Sequence, residues 1–174
     1  VVVAAAMSTA PAVVEVADAE SMRELGQRLA KQLQPGDLVV LSGELGAGKT
    51  TLAQGLGVGL NIRGPVTSPT FVIARVHPSL ADGPPLVHVD AYRLGGWDEL
   101  EDLDLEATLD EAVTIVEWGE GLVEGLSADR LDVRIHRAAG GSAGAVDALA
   151  EDGAEDRTVE LHGVGQRWHD VPLP

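Results

Sequence analysis

The chain has 174 residues, enough for one domain with a substantial core, and it contains no cysteine. Disulfide frameworks, thiolate metal sites and a cysteine nucleophile are therefore excluded. A formal net charge of −16 argues against a broad grip on nucleic acid, whose phosphate backbone demands a basic face.

Residues 1–11 lack the positively charged segment of a secretory signal and are expected to form a disordered extension. No apolar run is long enough to span a bilayer, so no membrane association is expected and a cytoplasmic location is. AVVEVA (12–17) predicts a strand. Ser21 with Glu24 reads as a capping box, followed by Met22, Leu25, Leu29 and Leu33 on one helical face. QPGD (34–37) is a turn into DLVVL (37–41), the short β-branched run of a buried strand.

GELGAGKT (43–50) then fits the phosphate-loop pattern G-x-x-x-x-G-K-[ST] at every fixed position. Glycine is abundant, but lysine occurs at Lys31 and Lys49 alone. Shuffling this composition would reproduce the pattern in roughly one sequence in several hundred. Leu52, Leu56 and Leu60 follow four apart, as one face of a helix requires. Strand, glycine loop, helix is the order the chemistry needs. Glycines let backbone N–H groups turn inward around phosphates, and the helix start adds the positive end of its dipole. Lys49 would reach the β- and γ-phosphates of a nucleotide, and the Thr50 hydroxyl would bind Mg²⁺.

Beyond this helix, GPVTSPT (64–70) predicts a loop and FVIARV (71–76) a strand, broken by HPSLADGPP (77–85). LVHVD (86–90) is a strand ending on Asp90. The acidic segment 98–112, with Leu100, Leu103, Leu105 and Leu109, predicts one or two short helices. VTIVEW (113–118) is a buried strand ending on Glu117. In doubly wound sheets ligands sit beyond the carboxyl ends of the strands. Asp90 and Glu117 are thus candidate Mg²⁺ carboxylates, as direct ligands or through water, although a lone acid at a strand end also serves as a turn cap. His88 shares a strand face with Asp90 and reads as a half-buried structural histidine before it reads as a ligand. RLDVRIH (130–136) and RTVELHG (157–163) alternate and are expected to pair as a hairpin around a flexible insertion at 137–156.

The order of elements predicts an α/β, P-loop NTPase-like fold. A largely parallel central sheet is flanked by helices, with an antiparallel C-terminal edge. Residues 12–136 form the ATPase domain, and 157–174 supply its C-terminal strand and tail. The chain has no Asn-Lys-x-Asp guanine motif and no LSGGQ transporter signature. No arginine-bearing lid of the kinase kind is evident, and Arg93 alone lies near the site in sequence. An ATP-hydrolysing switch is the more natural reading, with a small-molecule kinase and a non-hydrolysing nucleotide-dependent adaptor as the alternatives.

GELGAGKTTLAQGL (43–56), TSPTF (67–71), HVDAYRL (88–94), DELEDLDL (98–105) and VEWGE (116–120), in this order and spacing, resemble the TsaE family. The resemblance covers roughly residues 12 to 136 and is specific in combination, whereas any one motif alone is weak. It implies a bacterial ATPase that assists synthesis of threonylcarbamoyladenosine at position 37 of tRNAs reading ANN codons. Its cofactors would be ATP and Mg²⁺, and its partners TsaD-type and TsaB-type proteins. Glu44, Leu45, Gly46, Ala47, Gly48, Lys49, Thr50 and Thr51 would hold ATP. Thr50 and Glu117 would hold Mg²⁺, and Asp90 would be the Walker-B-like acid, reaching the metal directly or through water. Lys49, Asp90 and Glu117 would thus carry catalysis, and Thr67, Ser68 and Thr70 would form a switch-like loop. Tyr92 and Trp118 are expected in the core or the pocket wall. Glu44 stands where the family more often has aspartate, which keeps the charge. The long 137–156 segment leaves Arg157 without an assigned role.

Overall fold

The computed structural model describes residues 10–67, 73–137 and 156–174. In chain order the elements are β1 (Ala12–Val16), α1 (Ala19–Ala30), β2 (Leu38–Gly43), α2 (Lys49–Gly59), β3 (Ala74–His77) and β4 (Leu86–Asp90). A short 3₁₀ turn (Ala91–Arg93) leads to α3 (Trp97–Glu101), α4 (Glu106–Leu109) and β5 (Val113–Glu117). Then come β6 (Arg130–Arg137), β7 (Arg157–Val164) and a second 3₁₀ turn (Gln166–Trp168).

The strands form one seven-stranded sheet in the order β1-β7-β6-β2-β5-β4-β3. β6, β2, β5 and β4 run parallel, so their carboxyl ends share one edge of the sheet. The hairpin β6–β7 forms as its alternation predicts, with Leu131, Val133 and Ile135 buried. The antiparallel margin is wider than expected. β1 adds outside β7, and β3 pairs antiparallel with β4 at the opposite edge.

Two apolar layers cover the sheet. Leu41, Val39, Ile115, Leu131 and Leu86 pack against α1 and α2, whose Leu25, Leu29, Leu52 and Leu56 are fully buried. On the other face Leu38, Val40, Val87, Val89 and Val116 meet Leu100 and Leu105 of the acidic segment. That segment folds as two short helices, so its leucines point inward and its carboxylates stay in water.

α1 and α2 approach so closely that glycine is required at their contact. A Cβ on Gly26 would lie 2.5 Å from the Leu52 carbonyl oxygen, and one on Gly55 would strike the backbone of Arg23. At the amino end of β2, Arg167 donates through Nε and Nη2 to the Asp37 carboxylate at 3.0 and 2.9 Å, and through Nη2 to the Gln32 carbonyl at 2.6 Å. Burial pushes the Asp37 carboxyl above the usual range, against the lowering effect of the Gln34 N–H and of Arg167.

Several local expectations are corrected. Helix α1 is capped by Asp18, whose carboxylate accepts the Ser21 amide at 2.7 Å, so no Ser21–Glu24 capping box forms. β3 starts at Ala74 and extends to His77, which is buried where a break was expected. Phe71 and Val72 lie outside the described residues. So do residues 1–9 and 138–155, on which the disordered extension and the flexible insertion chiefly fall.

Candidate functional site

The site grows out of the carboxyl end of β2. Gly43, the last residue of the strand, has φ of 152° and pairs with Ile135, and a Cβ there would sit 2.6 Å from the Ile135 carbonyl oxygen. The chain then turns, with the Ala47 amide donating to Glu44. Gly48, with φ of 111° in the left-handed region that favours glycine, is the N-cap of α2. Among the described residues no side chain caps that helix, whose first-turn amides, by helix geometry, point toward the loop as an anion site requires.

Lys49 is buried at 5 % exposure, and its ammonium donates to the carbonyls of Gly43 and Glu44 at 2.7 and 2.9 Å. It also sits 3.7 Å from the ring centroid of Trp118. Burial lowers its pKa from the usual lysine value, opposed by the charges of Glu117 and Asp90. Thr50, one residue on, donates its hydroxyl to the Glu117 carboxylate, 3.1 Å from each oxygen.

The two acids meet by strand register. Asp90 and Glu117 are paired residues of the parallel ladder β4–β5, so they stand side by side at the edge where the loop opens. Glu117 is 3 % exposed. Asp90 is half-buried and accepts the Tyr92 amide through Oδ1 at 3.0 Å. The turn-capping role of an acid at this position is therefore real, and it occupies one of the two carboxylate oxygens.

Leu45, Gly46, Gly48, Lys49, Thr50, Thr51, Asp90 and Glu117 line one cleft of about 260 Å³, walled by Tyr92 and Trp118. Of the residues expected to hold the nucleotide, Ala47 is buried and Glu44 faces an adjoining cleft with Ser42, Glu120 and Arg134. Thr67 lies apart and exposed, its hydroxyl 3.4 Å from Arg75. Ser68 and Thr70 are outside the described residues. Among the described residues no group of three or more His, Asp or Glu side chains converges as a closed metal cage. One hydroxyl with one or two carboxylates is instead the partial set that suits Mg²⁺ shared with phosphates and water.

Two features escaped the sequence reading, and a third was left open between two places. His88 is fully buried, not half-buried, and its Nε2 bonds Glu117 Oε1 at 2.9 Å. Tyr92 takes the second of the two places expected for it, the pocket wall rather than the core: it is 67 % exposed, tilted against Trp118 at 5.1 Å. Arg137 and Arg157, paired across β6–β7, both approach the glycine loop, Arg137 reaching the Gly46 carbonyl at 3.4 Å. The spacing of His88 from Asp90 was a usable signal. The approach of the arginines was not, because it depends on β6 lying beside β2.

The family model "Threonylcarbamoyl adenosine biosynthesis protein TsaE" matches residues 16–143. A curated Streptomyces coelicolor protein named "tRNA threonylcarbamoyladenosine biosynthesis protein TsaE" is 66% identical over 148 residues, 84% of this chain and 93% of that one. Proteins of the same name from Mycobacterium tuberculosis and Bacillus subtilis are 53% and 36% identical, over 68% and 86% of this chain and 74% and 84% of theirs. Among solved structures, Bacillus subtilis YdiB superposes with a TM-score of 0.67 at 29% identity, covering 93% of this chain and 90% of that one.

Proposed function

This chain belongs to the TsaE family of tRNA threonylcarbamoyladenosine biosynthesis, and from that membership we propose that it is the pathway's Mg²⁺-dependent ATP-binding and ATP-hydrolysing subunit. It would serve modification at position 37 of tRNAs reading ANN codons by acting on a complex of TsaD-type and TsaB-type proteins. The observation that carries the reading is the convergence of Lys49, Thr50, Asp90 and Glu117 on one cleft beside an uncapped helix start.

That geometry supports the following roles. The backbone amides of the loop and of α2 bind the phosphate oxygens, and Lys49 exchanges its carbonyl partners for the β- and γ-phosphates. Thr50 and Glu117 hold Mg²⁺, with Asp90 as direct or water-mediated support. The metal neutralises charge on the phosphate oxygens when bound. Asp90 orients the attacking water with its remaining oxygen. As the water oxygen bonds the γ-phosphorus, the bridge to the β-phosphate breaks and the water's proton leaves with the phosphate products, giving ADP and inorganic phosphate. Little covalent work falls to the protein, so catalysis is positioning plus charge neutralisation.

A protein partner suits the surface. The chain is strongly acidic, and the rim of the cleft carries exposed apolar groups at Leu45 (82 %) and Tyr92. Slow turnover alone and stimulation by partners are expected. The test is ATP hydrolysis by the purified protein, alone and with its TsaB-type and TsaD-type partners, using Lys49→Ala as the blank. Stimulation lost in the blank supports the cycle. A rate indifferent to partners removes the partner-driven mechanism, and a phosphorylated small-molecule product would favour a kinase.

A further inference from the structure

His88 has no part in that scheme, yet its imidazole is bonded to a carboxylate of the site. β4 and β5 pair with Asp90 opposite Glu117 and His88 opposite Ile115. His88 and Asp90 project from the same face of β4, which makes His88 the diagonal neighbour of Glu117. From there Nε2 reaches Glu117 Oε1 at 2.9 Å, with both side chains essentially out of water. An ionised carboxylate can only accept, so the hydrogen bond is donated by Nε2–H. Nδ1 is buried with no hydrogen-bond partner among the described residues. An aliphatic side chain would fill this position without stranding a polar atom, so packing alone does not explain an imidazole here.

We propose that His88 is a positioning residue that fixes the Glu117 carboxylate for metal binding. The inference rests on Glu117 as a Mg²⁺ ligand. Thr50 lies equidistant from the two Glu117 oxygens and does not distinguish them. His88 does: it engages Oε1 and leaves Oε2 as the oxygen offered to a cation. Once the Thr50 hydroxyl turns to the metal, His88 is the hydrogen-bond donor that still holds the carboxylate in place. Outer partners of this kind orient a ligand and raise its basicity.

The test is nucleotide affinity of the full chain, measured calorimetrically with ATP in excess Mg²⁺ and with ATP in EDTA. His88→Leu should weaken binding by about 10- to 100-fold with Mg²⁺ and leave the EDTA value unchanged. His88→Gln, whose amide nitrogen can stand near Nε2, should recover most of the loss. Equal weakening in both buffers, or none in either, overturns the proposal. Glu117→Gln separates the two levels of argument. If it keeps full Mg²⁺ dependence, the metal role of Glu117 fails and the proposal falls with it. If it loses that dependence while His88→Leu keeps it, positioning alone fails. Should His88→Leu not fold, ¹⁵N-histidine NMR of the wild type decides. An Nε2–H tautomer whose resonance shifts when Mg²⁺ is added to the ATP complex is expected. An Nδ1–H tautomer, or a resonance blind to Mg²⁺, overturns it.

Discussion

The ammonium of Lys49 rests over the indole of Trp118, a residue held at φ of 62° directly after Glu117. Such a cation–π contact contributes about 0.5–2 kcal/mol and is given up when the ammonium moves to a phosphate. Tryptophan emission should therefore change on ATP binding. Trp118→Phe should silence the change while leaving affinity within about threefold, since the aromatic face is kept. A full signal in that variant would assign the response to Trp97 or Trp168.

Asp90→Asn tests the division of labour between capping and chemistry. The amide oxygen can still accept the Tyr92 N–H, so the turn over Ala91–Arg93 should survive. Turnover should fall by about 100-fold or more, because an uncharged amide cannot orient the attacking water as the carboxylate does. ATP affinity should stay near the wild-type value. Unchanged turnover in a steady-state assay would reduce Asp90 to its capping role.

Gly55→Ala should cost about 1–3 kcal/mol, because a methyl group there meets the backbone of Arg23 and the two helices must separate. Since α2 begins at Lys49, the same variant should also weaken ATP binding. Gly64→Ala is the control. Its φ of 77° carries some strain, but among the described residues nothing lies within 4 Å of the added atom. Urea midpoints for the two variants give the comparison, and equal losses would rule out close packing as the cause.

His77 supplies a pH dependence. Burial holds its pKa below the ordinary 6.5, despite a hydrogen bond with the backbone of Arg63. The unfolded chain therefore binds the proton first. The stability contribution is fully present above pH 6.5 and is lost as pH falls from there toward the lower folded-state value. Urea midpoints at neutral and mildly acidic pH should show this slope in the wild type and a shallower one in His77→Phe. Identical slopes would mean that His77 takes its proton without penalty.

Much of the scaffold was legible because its strands are continuous apolar runs closed by acids. LVHVD forms β4 over its predicted length, and the run ending at Glu117 is fully buried as read. What local pattern could not convey was pairing at long range. The neighbour of β1 is β7, from the far end of the chain, and nothing near Ala12 points to Leu161. The cap of α1 was misread because Asp18 and Ser21 both offer capping oxygens, and only geometry decides between them. His88 was placed on the correct face, but periodicity assigns faces and not diagonal partners. Lys49, Thr50, Asp90 and Glu117 were all readable, since the spacing of the motif and the ends of parallel strands bring them together by construction.

The clasp between Arg167 and Asp37 lies at the foot of β2, while the glycine loop crowns its other end. β7 descends from the loop edge at Arg157 to Val164, and the tail beyond it keeps Val171 and Leu173 against the core at that lower end. A tether attached on that side, at the exposed Asp170, would hold the molecule by its base. Immobilised that way on a sensor surface, the protein would present Lys49, Asp90 and Glu117 to the solution, with the anchor at the opposite end of β2.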